Sequence, residues 1–383
     1  MKINSLAFFN KSSHLGLENI TFDKLTLLVG ASGVGKTHIL KAIIELKNIA
    51  FGDFVNGIKW DINFDTISGD NYNWSGEYED NGVRFVFSND EDDDNIRKNK
   101  PKIINETLVR NSIKIIERNS TGTFFNENKM PKFSSEESVL SILKEEDLIK
   151  PALESFQRII LSDQSDSQRE PFKLKLFSIE KFSKQFTSLE KIQESDLDIR
   201  TKLYLTQEHD IKTFEKIKER FCEVFPQVQN IKIAPLDDIE GDLPGYIKEY
   251  PFIQIQELGV DKWIEQGRIS SGMFRTLIHI SELYLCAEGT VFLIDEFENS
   301  LGINCIDELT NDILQSNRKV QFIITSHHPY IINNIHYSKW KLVTRKSGSI
   351  RVHNVDEFNI GNSKHDAFMQ LMQLEEYQTG SEQ

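Results

Sequence analysis

Apolar residues alternate with polar ones, or fall in short unbroken runs, over the first 30 residues of the chain. This pattern predicts strands over residues 2–9 and 17–22, and a fully buried strand over residues 25–29 that runs directly into glycine. The apolar period then changes to that of a helix. We therefore expect a helix over residues 35–47, which begins after a short glycine-rich loop.

The middle of the chain changes from strand-like to helix-like patterning. Residues 60–117 are predicted to form strands, with a hairpin turn at Asp80-Asn81-Gly82. The charged run at residues 89–100 indicates a solvated loop, and a partner-binding arm is the alternative interpretation. Residues 134–225 follow a mainly helical period that starts with a Ser-x-x-Glu capping signal at Ser134. No heptad pattern is sustained, so a long coiled-coil arm is not expected.

The last third of the chain alternates strand and helix patterns. The predicted strands occupy residues 231–233, 252–256, 290–296, 320–326, 339–345 and 349–355. A helix that ends near Cys286, a second over residues 305–315 and a short one from Ser363 are also expected. Alternating strands and helices of this kind predict an α/β fold.

Composition and charge exclude several classes of protein. The chain has 45 Lys and Arg against 59 Asp and Glu, and its net charge of −14 argues against a surface built for indiscriminate phosphate binding. Cys222, Cys286 and Cys305 lack metal-ligand spacing and fit a reducing cytosol. The first residues lack the apolar core of a secretory signal, and no apolar run reaches the roughly 18 residues that span a bilayer. We expect a cytoplasmic protein.

One loop carries the residues of a phosphate-binding site. It fits G-x-x-x-x-G-K-[ST], between a buried strand and a helix, with Gly30, Ala31, Ser32, Gly33, Val34, Gly35, Lys36 and Thr37. Backbone N–H groups of such a loop, together with the start of the following helix, attract an anion. Lys36 is expected to neutralise the β- and γ-phosphate oxygens of ATP, and the Thr37 hydroxyl to bind Mg²⁺.

Two later strands end in residues that suit the other half of a nucleotide site. The run at residues 290–296 ends in Asp295, which can hold the Mg²⁺ hydration shell, and in Glu296, which can accept a proton from an attacking water. The next buried strand is followed by His327, which we expect to contact the γ-phosphate, with His328 as a second candidate. A purely structural histidine is the competing interpretation.

Four stretches of the sequence follow one another in the order GASGVGKT, ISSGM, FLIDEFENSL and ITSH. Together they resemble the motifs of the ATP-binding cassette (ABC) ATPases. The resemblance is to their soluble branch, which includes SMC proteins, RecF and the bacterial OLD-type defence ATPases. In that family a Leu-Ser-Gly-Gly-Gln element at a helix start caps the γ-phosphate held by the other subunit. The corresponding residues here are Ile269, Ser270, Ser271, Gly272 and Met273. They retain a hydroxyl and free N–H groups at a helix start, although a plain serine N-cap is the alternative.

The resemblance also implies the architecture and the partners. The expected fold is an ABC-type ATPase head with a mixed β-sheet, an antiparallel β-subdomain and a helical insertion lobe. Residues 1–125 would form the N-terminal half of the head, 126–250 the lobe, 251–360 the C-terminal half and 361–383 a helix and tail. ATP and Mg²⁺ would lie between two copies of the chain, in a homodimer or a higher oligomer. A glutamine linking Mg²⁺ to the lobe has two candidates, Gln164 and Gln168.

Three functions fit such a dimer. In the first, it gates a partner effector, a nuclease or toxin, or a DNA contact, in bacterial antiphage defence; since no second catalytic domain follows His327, killing activity would lie in the partner. In the second, a RecF- or SMC-like repair ATPase binds DNA directly. The basic faces available for that are Lys181, Lys184 and Lys191, or Lys212, Lys216, Lys218 and Arg220. The third is a slowly hydrolysing, nucleotide-dependent scaffold.

Overall fold

The structure, a computed structural model, forms two compact units. It describes residues 1–82, 100–162, 179–235, 251–299, 305, 310–314, 318–358, 360–361 and 364–381. The first unit comprises Met1–Leu161, Glu288–Phe297 and Asn317–Gln383, and the second comprises Ser162–Ala287 and Glu298–Ser316. The four segments expected from the sequence divide the chain at other positions and remain a prediction.

Long runs of alternating or wholly apolar residues give the first unit its strands. They are β1 (Lys2–Asn10), β2 (Leu15–Thr21), β3 (Leu25–Val29), β4 (Ile58–Asp65), β5 (Asn71–Tyr78), β6 (Ile103–Arg110), β7 (Ile113–Asn119), β8 (Gly122–Phe125), β9 (Asn128–Lys129) and β10 (Ile159–Leu161). The second unit contributes β11 (Val228–Pro235), β12 (Pro251–Glu257) and β13 (Ile264–Glu265). The first unit is completed by β14 (Val291–Ile294), β15 (Gln321–Thr325), β16 (Trp340–Lys346) and β17 (Ser349–Asn354).

Within the described part of the first unit, the strands form one mixed sheet in the order β10-β14-β15-β3-β16-β17-β2-β1-β4-β5-β6-β7-β8-β9. The five strands from β10 to β16 are parallel, and those from β1 to β9 along this order are antiparallel. Every residue of β3 is buried, as expected of a strand covered on both faces, whereas burial in β5 alternates. The predicted α/β class, with a mixed sheet extended by antiparallel strands, is confirmed.

Helices occur in both units. In chain order they are α1 (Lys36–Ala50), α2 (Val139–Ile142), α3 (Lys150–Gln157), α4 (Ile179–Gln185), α5 (Leu189–Glu194), α6 (Ile199–His209), α7 (Ile211–Val224), α8 (Ser271–Leu285), α9 (Pro329–Asn334), α10 (Lys364–Gln373) and α11 (Glu375–Thr379). Within the described ranges, no helix combines the length and the apolar character that crossing a bilayer requires. Of the predicted helix over 305–315, the structure describes residues 305 and 310–314, and all of them are helical. The charged loop at 89–100 lies outside the described residues except for its last residue.

The core of the first unit lies where α1 and α3 cover the sheet. Ile39, Ile43 and Leu46 of α1 are completely buried, at the spacing of a single helix face. On the sheet, Trp74 packs edge-on against Phe156 of α3, with ring centroids 5.2 Å apart. Helix α1 is thereby fixed to the sheet, and its first residues follow directly from the glycine-rich loop.

Two sequence predictions in the middle of the chain were wrong. Residues 159–161, expected to be helical, form β10, because pairing with β14 outweighs local helical patterning in a short apolar run. Ser134 does not cap a helix; Ser138 does, and its hydroxyl accepts a bond from the N–H of Leu140. The completely buried Glu106 fixes that helix start, since it accepts bonds from the Ser138 hydroxyl at 2.5 Å and from the Val139 N–H at 3.0 Å.

The second unit is mainly helical, with a small antiparallel sheet. Its helices α6, α7 and α8 pack on one another, and β11, β12 and β13 form the sheet in that order. Phe214, Ile217 and Phe221 of α7 are buried at helical spacing. The predicted strands at 231–233 and 252–256 lie within β11 and β12, and the predicted helix ending near Cys286 is α8.

Candidate nucleotide site

The glycine-rich loop, residues 30–37, lies at one edge of the large sheet, where it joins β3 to α1. Strand β15 lies beside β3, and β14 lies beside β15, all three in parallel. Parallel neighbours end at the same edge of a sheet. The residues after these three strands, which include Asp295, Glu296 and His327, therefore lie at the edge that carries the loop.

The loop backbone is tightly enclosed at one glycine and open at another. Gly35 has φ +113° and precedes α1, and a Cβ placed on it would overlap the Cδ1 atom of Ile350 in β17. Gly33 also has a positive φ, +81°, but a Cβ there would meet no atom within 4 Å. A loop held closely on one side and open on the other provides the room that a phosphate group needs.

Lys36 is buried, although its side chain carries a charge. It is 5 % exposed, and its Nζ donates to the carbonyl oxygens of Gly30 at 2.8 Å and Ala31 at 2.9 Å. Beside it on α1, burial and the charges of Lys41 and Arg345 lower the pKa of His38 below its usual range. The positive charges of Lys36, Lys41 and Arg345 therefore lie close to the start of α1, which favours an anion there.

The two predicted Mg²⁺ ligands, the Thr37 hydroxyl and the Asp295 carboxylate, lie in contact with each other. The Thr37 hydroxyl donates to Oδ1 of Asp295 at 3.2 Å, although the two residues are 258 positions apart in the chain. Hydroxyl and carboxylate oxygens are the ligands that Mg²⁺ prefers, so this pair fits the ion expected from the sequence.

Thr325, the last residue of β15, was missed by sequence reasoning. Its hydroxyl donates to Oδ1 of Asp295 at 2.6 Å and accepts a bond from the N–H of Glu296 at 2.8 Å. The Thr325 carbonyl also accepts from the N–H of Phe297 at 3.1 Å. One buried threonine therefore holds both acids; the signal available in the sequence was a polar residue at the end of an apolar strand.

The backbone of Glu296 has an uncommon conformation. Its φ is +45°, a left-handed value that a residue with a side chain adopts at a cost, and such residues cluster at functional sites. The bonds from Thr325 and the burial of Phe297, which is 1 % exposed, hold it there. Glu296 itself is exposed, so water reaches its carboxylate.

The two histidines after β15 differ in their local roles. His328 begins α9, and its Nδ1 accepts a bond from the N–H of Tyr330 at 3.3 Å. This capping role accounts for His328 without a ligand. His327 is half-buried between the end of β15 and that cap, at the loop edge of the sheet. Its contact with a γ-phosphate remains a prediction.

The serines of ISSGM form the start of α8 in the second unit. Ser270 is the N-cap, and its hydroxyl accepts a bond from the N–H of Met273 at 3.3 Å. Ile269 and Phe274, both buried, occupy the positions of a hydrophobic staple around this cap. Ser270 and Ser271 are exposed, and Gly272 is half-buried. The candidate glutamines, Gln164 and Gln168, lie outside the described residues.

A model of the family described as "AAA domain, putative AbiEii toxin, Type IV TA system" matches residues 25–333, more than half of the chain. The chain belongs to this family. It therefore contains an AAA-type ATPase domain, which is the class of domain that the motifs predict. No curated protein matches the chain.

The solved structures that are similar to this chain include three SMC heads. One is an SMC head bound to the C-winged helix domain of ScpA, with a TM-score of 0.49 and 13 % identity over 92 % of this chain and 97 % of that one. The SMC head domain from Thermotoga maritima has a TM-score of 0.43 and 12 % identity, over 92 % and 99 %. An SMC head with an extended coiled coil bound to the C-terminal domain of ScpA, derived from Pyrococcus furiosus, has a TM-score of 0.46 and 14 % identity, over 94 % and 98 %.

Proposed function

We propose that the chain binds and hydrolyses ATP with Mg²⁺ at the loop edge of its large sheet. The observation that carries the proposal is the 3.2 Å contact between the Thr37 hydroxyl and Asp295, because it joins the phosphate loop to the acidic strand end. The membership of an AAA family supports it. The test is direct measurement of ATP binding and phosphate release by the purified chain.

Each residue at this edge has a task in the proposed reaction. The N–H groups of residues 30–37 hold the phosphates, and Lys36 turns from the carbonyls of its own loop to the β- and γ-phosphate oxygens. Thr37 and Asp295 would hold Mg²⁺, which when bound neutralises charge on the phosphate oxygens. Glu296 accepts the proton of the attacking water. His327 donates a hydrogen bond to the γ-phosphate.

In the same proposal, two copies enclose two nucleotides head to tail. The exposed hydroxyls and N–H groups of Ser270, Ser271 and Gly272 of one copy would cap the γ-phosphate held by the other. The test mixes two inactive variants, Lys36→Ala and Ser270→Ala. A heterodimer then has one site with both substitutions and one with neither, so ATPase activity should reappear on mixing. If no mixture regains activity, the site is built within one chain.

We favour a partner effector over direct DNA binding as the output of the cycle. The family description names a toxin and a Type IV TA system, which supports a cytoplasmic defence role. In one of the two candidate basic faces, Lys218 pairs with Glu215, and Arg220 pairs with Asp312 at 2.9 Å and Glu223 at 2.8 Å. Paired side chains have less charge to offer DNA phosphates.

Three experiments distinguish the three candidate functions. A pull-down with the Glu296→Gln chain and ATP should recover an effector protein, such as a nuclease or toxin, that the same chain without ATP does not retain. A salt titration of DNA affinity tests the repair-type alternative, because phosphate contacts weaken steeply with salt. Tight, salt-sensitive DNA binding would favour that alternative. Single-turnover ATP hydrolysis tests the scaffold, which predicts a rate close to zero.

A further inference from the structure

A short helical segment, α11 with the following Gly380, contacts the phosphate loop. Gly380 is buried and left-handed, with φ +70°, and its N–H donates to the carbonyl of Glu376 at 2.9 Å. Its own carbonyl accepts from the N–H of Arg345, in β16, at 2.8 Å. The segment is therefore bonded to the sheet on one side of Gly380. On the other side of that glycine lies the loop.

The contact leaves no space for a side chain. A Cβ placed on Gly380 would overlap the Cγ1 atom of Val34 and lie 3.1 Å from the Cβ of Ala31. Val34 is 4 % exposed and branched at Cβ, so its side chain has few rotamers into which it can withdraw. A displacement of Val34 would consequently move its backbone, which lies between Gly33 and Gly35.

We infer that α11 and Gly380 form a positioning element of the nucleotide site, which supports Ala31 and Val34 from behind and holds the loop backbone in its phosphate-receiving shape. This inference rests on the proposed function, because it assigns the segment a part in that site. Loop N–H groups act on a phosphate only if they are already oriented toward it. The support supplies this orientation without contacting the nucleotide.

The test compares two glycine substitutions with the same backbone cost. Gly380→Ala introduces the overlap with Val34. Gly259→Ala is the matched control, since Gly259 has φ +74° and open space within 4 Å. We expect Gly380→Ala to weaken ADP affinity about tenfold in calorimetry, the scale of modest overpacking. Gly259→Ala should leave it unchanged. Unaltered or tighter ADP binding by Gly380→Ala would overturn the inference.

A second measurement separates this inference from the proposed function. Amide hydrogen exchange of residues 30–37, measured without nucleotide, should be faster in Gly380→Ala than in Gly259→Ala. Equal exchange rates in the two variants would show that Gly380 does not support the loop. This conclusion would hold even if the wild-type chain bound no ADP. Adding Val34→Ala to Gly380→Ala should restore slow exchange, because it removes the overlapping methyl groups. If the single variant Gly380→Ala does not fold, the double variant becomes the test. Fast exchange of residues 30–37 in the double variant would then contradict the inference.

Discussion

The two helix starts that are candidates for handling nucleotide are built in opposite ways. Helix α1 begins after Gly35, which has no side chain to cap the helix, whereas α8 begins at Ser270, whose own hydroxyl bonds to the helix. Every helix start leaves N–H groups that need acceptors. At α8 a local serine supplies one of them. At α1 the sequence supplies only glycine, so no side chain at the helix start fills that role.

This difference shows how strongly each motif indicates function. A capped serine start is explained by helix stability alone, so Ser270 needs a further experiment before a ligand is assigned to it. An uncapped glycine start, with a buried lysine bonded to the loop carbonyls, has no comparable local explanation. Substitutions at α1 and its surroundings should therefore affect nucleotide chemistry more than stability. Substitutions at α8 should affect stability in every case.

The largest effect is expected from Glu296→Gln. The amide keeps the size and shape of the side chain but cannot accept the proton of an attacking water. ATP hydrolysis should slow about 10² to 10⁴-fold, the usual contribution of a general base, with nucleotide affinity retained. Single-turnover hydrolysis measures the first quantity and calorimetry the second. A wild-type rate would remove Glu296 from this role.

Lys36→Ala should weaken nucleotide binding by about 10- to 100-fold, the range expected for lost hydrogen bonds to a charged group. The matched control is Lys59→Ala, because Lys59 is an exposed lysine of β4 in the same unit. Equilibrium binding of ADP and of ATP should show the loss for both nucleotides in the first variant and for neither in the second. Equal affinities in the two variants would contradict the loop assignment.

Thr325→Val should reduce the hydrolysis rate about tenfold, because it removes the bonds that hold Asp295 and the N–H of Glu296. Thr325→Ser keeps the hydroxyl and is the control. The effect should appear in kcat more than in KM, since the acids act on the reaction and the loop supplies most of the binding. A change confined to thermal stability would show that Thr325 only fills the end of β15.

The main motifs and the long strands were predicted from the sequence, together with the approach of Asp295 to Thr37. Several features that depend on other contacts between distant residues were not predicted. The phosphate loop and its helix follow from eight consecutive residues, and β3 from an unbroken apolar run. Strand β10 exists because it pairs with residues more than a hundred positions later, and the cap at Ser138 exists because Glu106 bonds to it. The parts played by Thr325 and Gly380 likewise depend on contacts made only in the folded chain.

The smallest change in free energy is expected in the stability of the helix start at Ser270, and this prediction tests the comparison directly. Ser270→Ala removes the cap of α8 and should lower the free energy of unfolding by about 1 kcal/mol in urea denaturation. Ser270→Asp should restore this stability, because an aspartate accepts the same bond from the Met273 N–H.

Dimerisation shows whether Ser270 does more than cap the helix. If the serine only caps, Ser270→Asp should also restore ATP-dependent dimerisation, measured by sedimentation with Glu296→Gln present in both copies. If its hydroxyl faces a γ-phosphate across the interface, the carboxylate repels that phosphate, and the dimer should stay weak while stability recovers. We expect the second result; full recovery of the dimer would reduce ISSGM to an ordinary helix start.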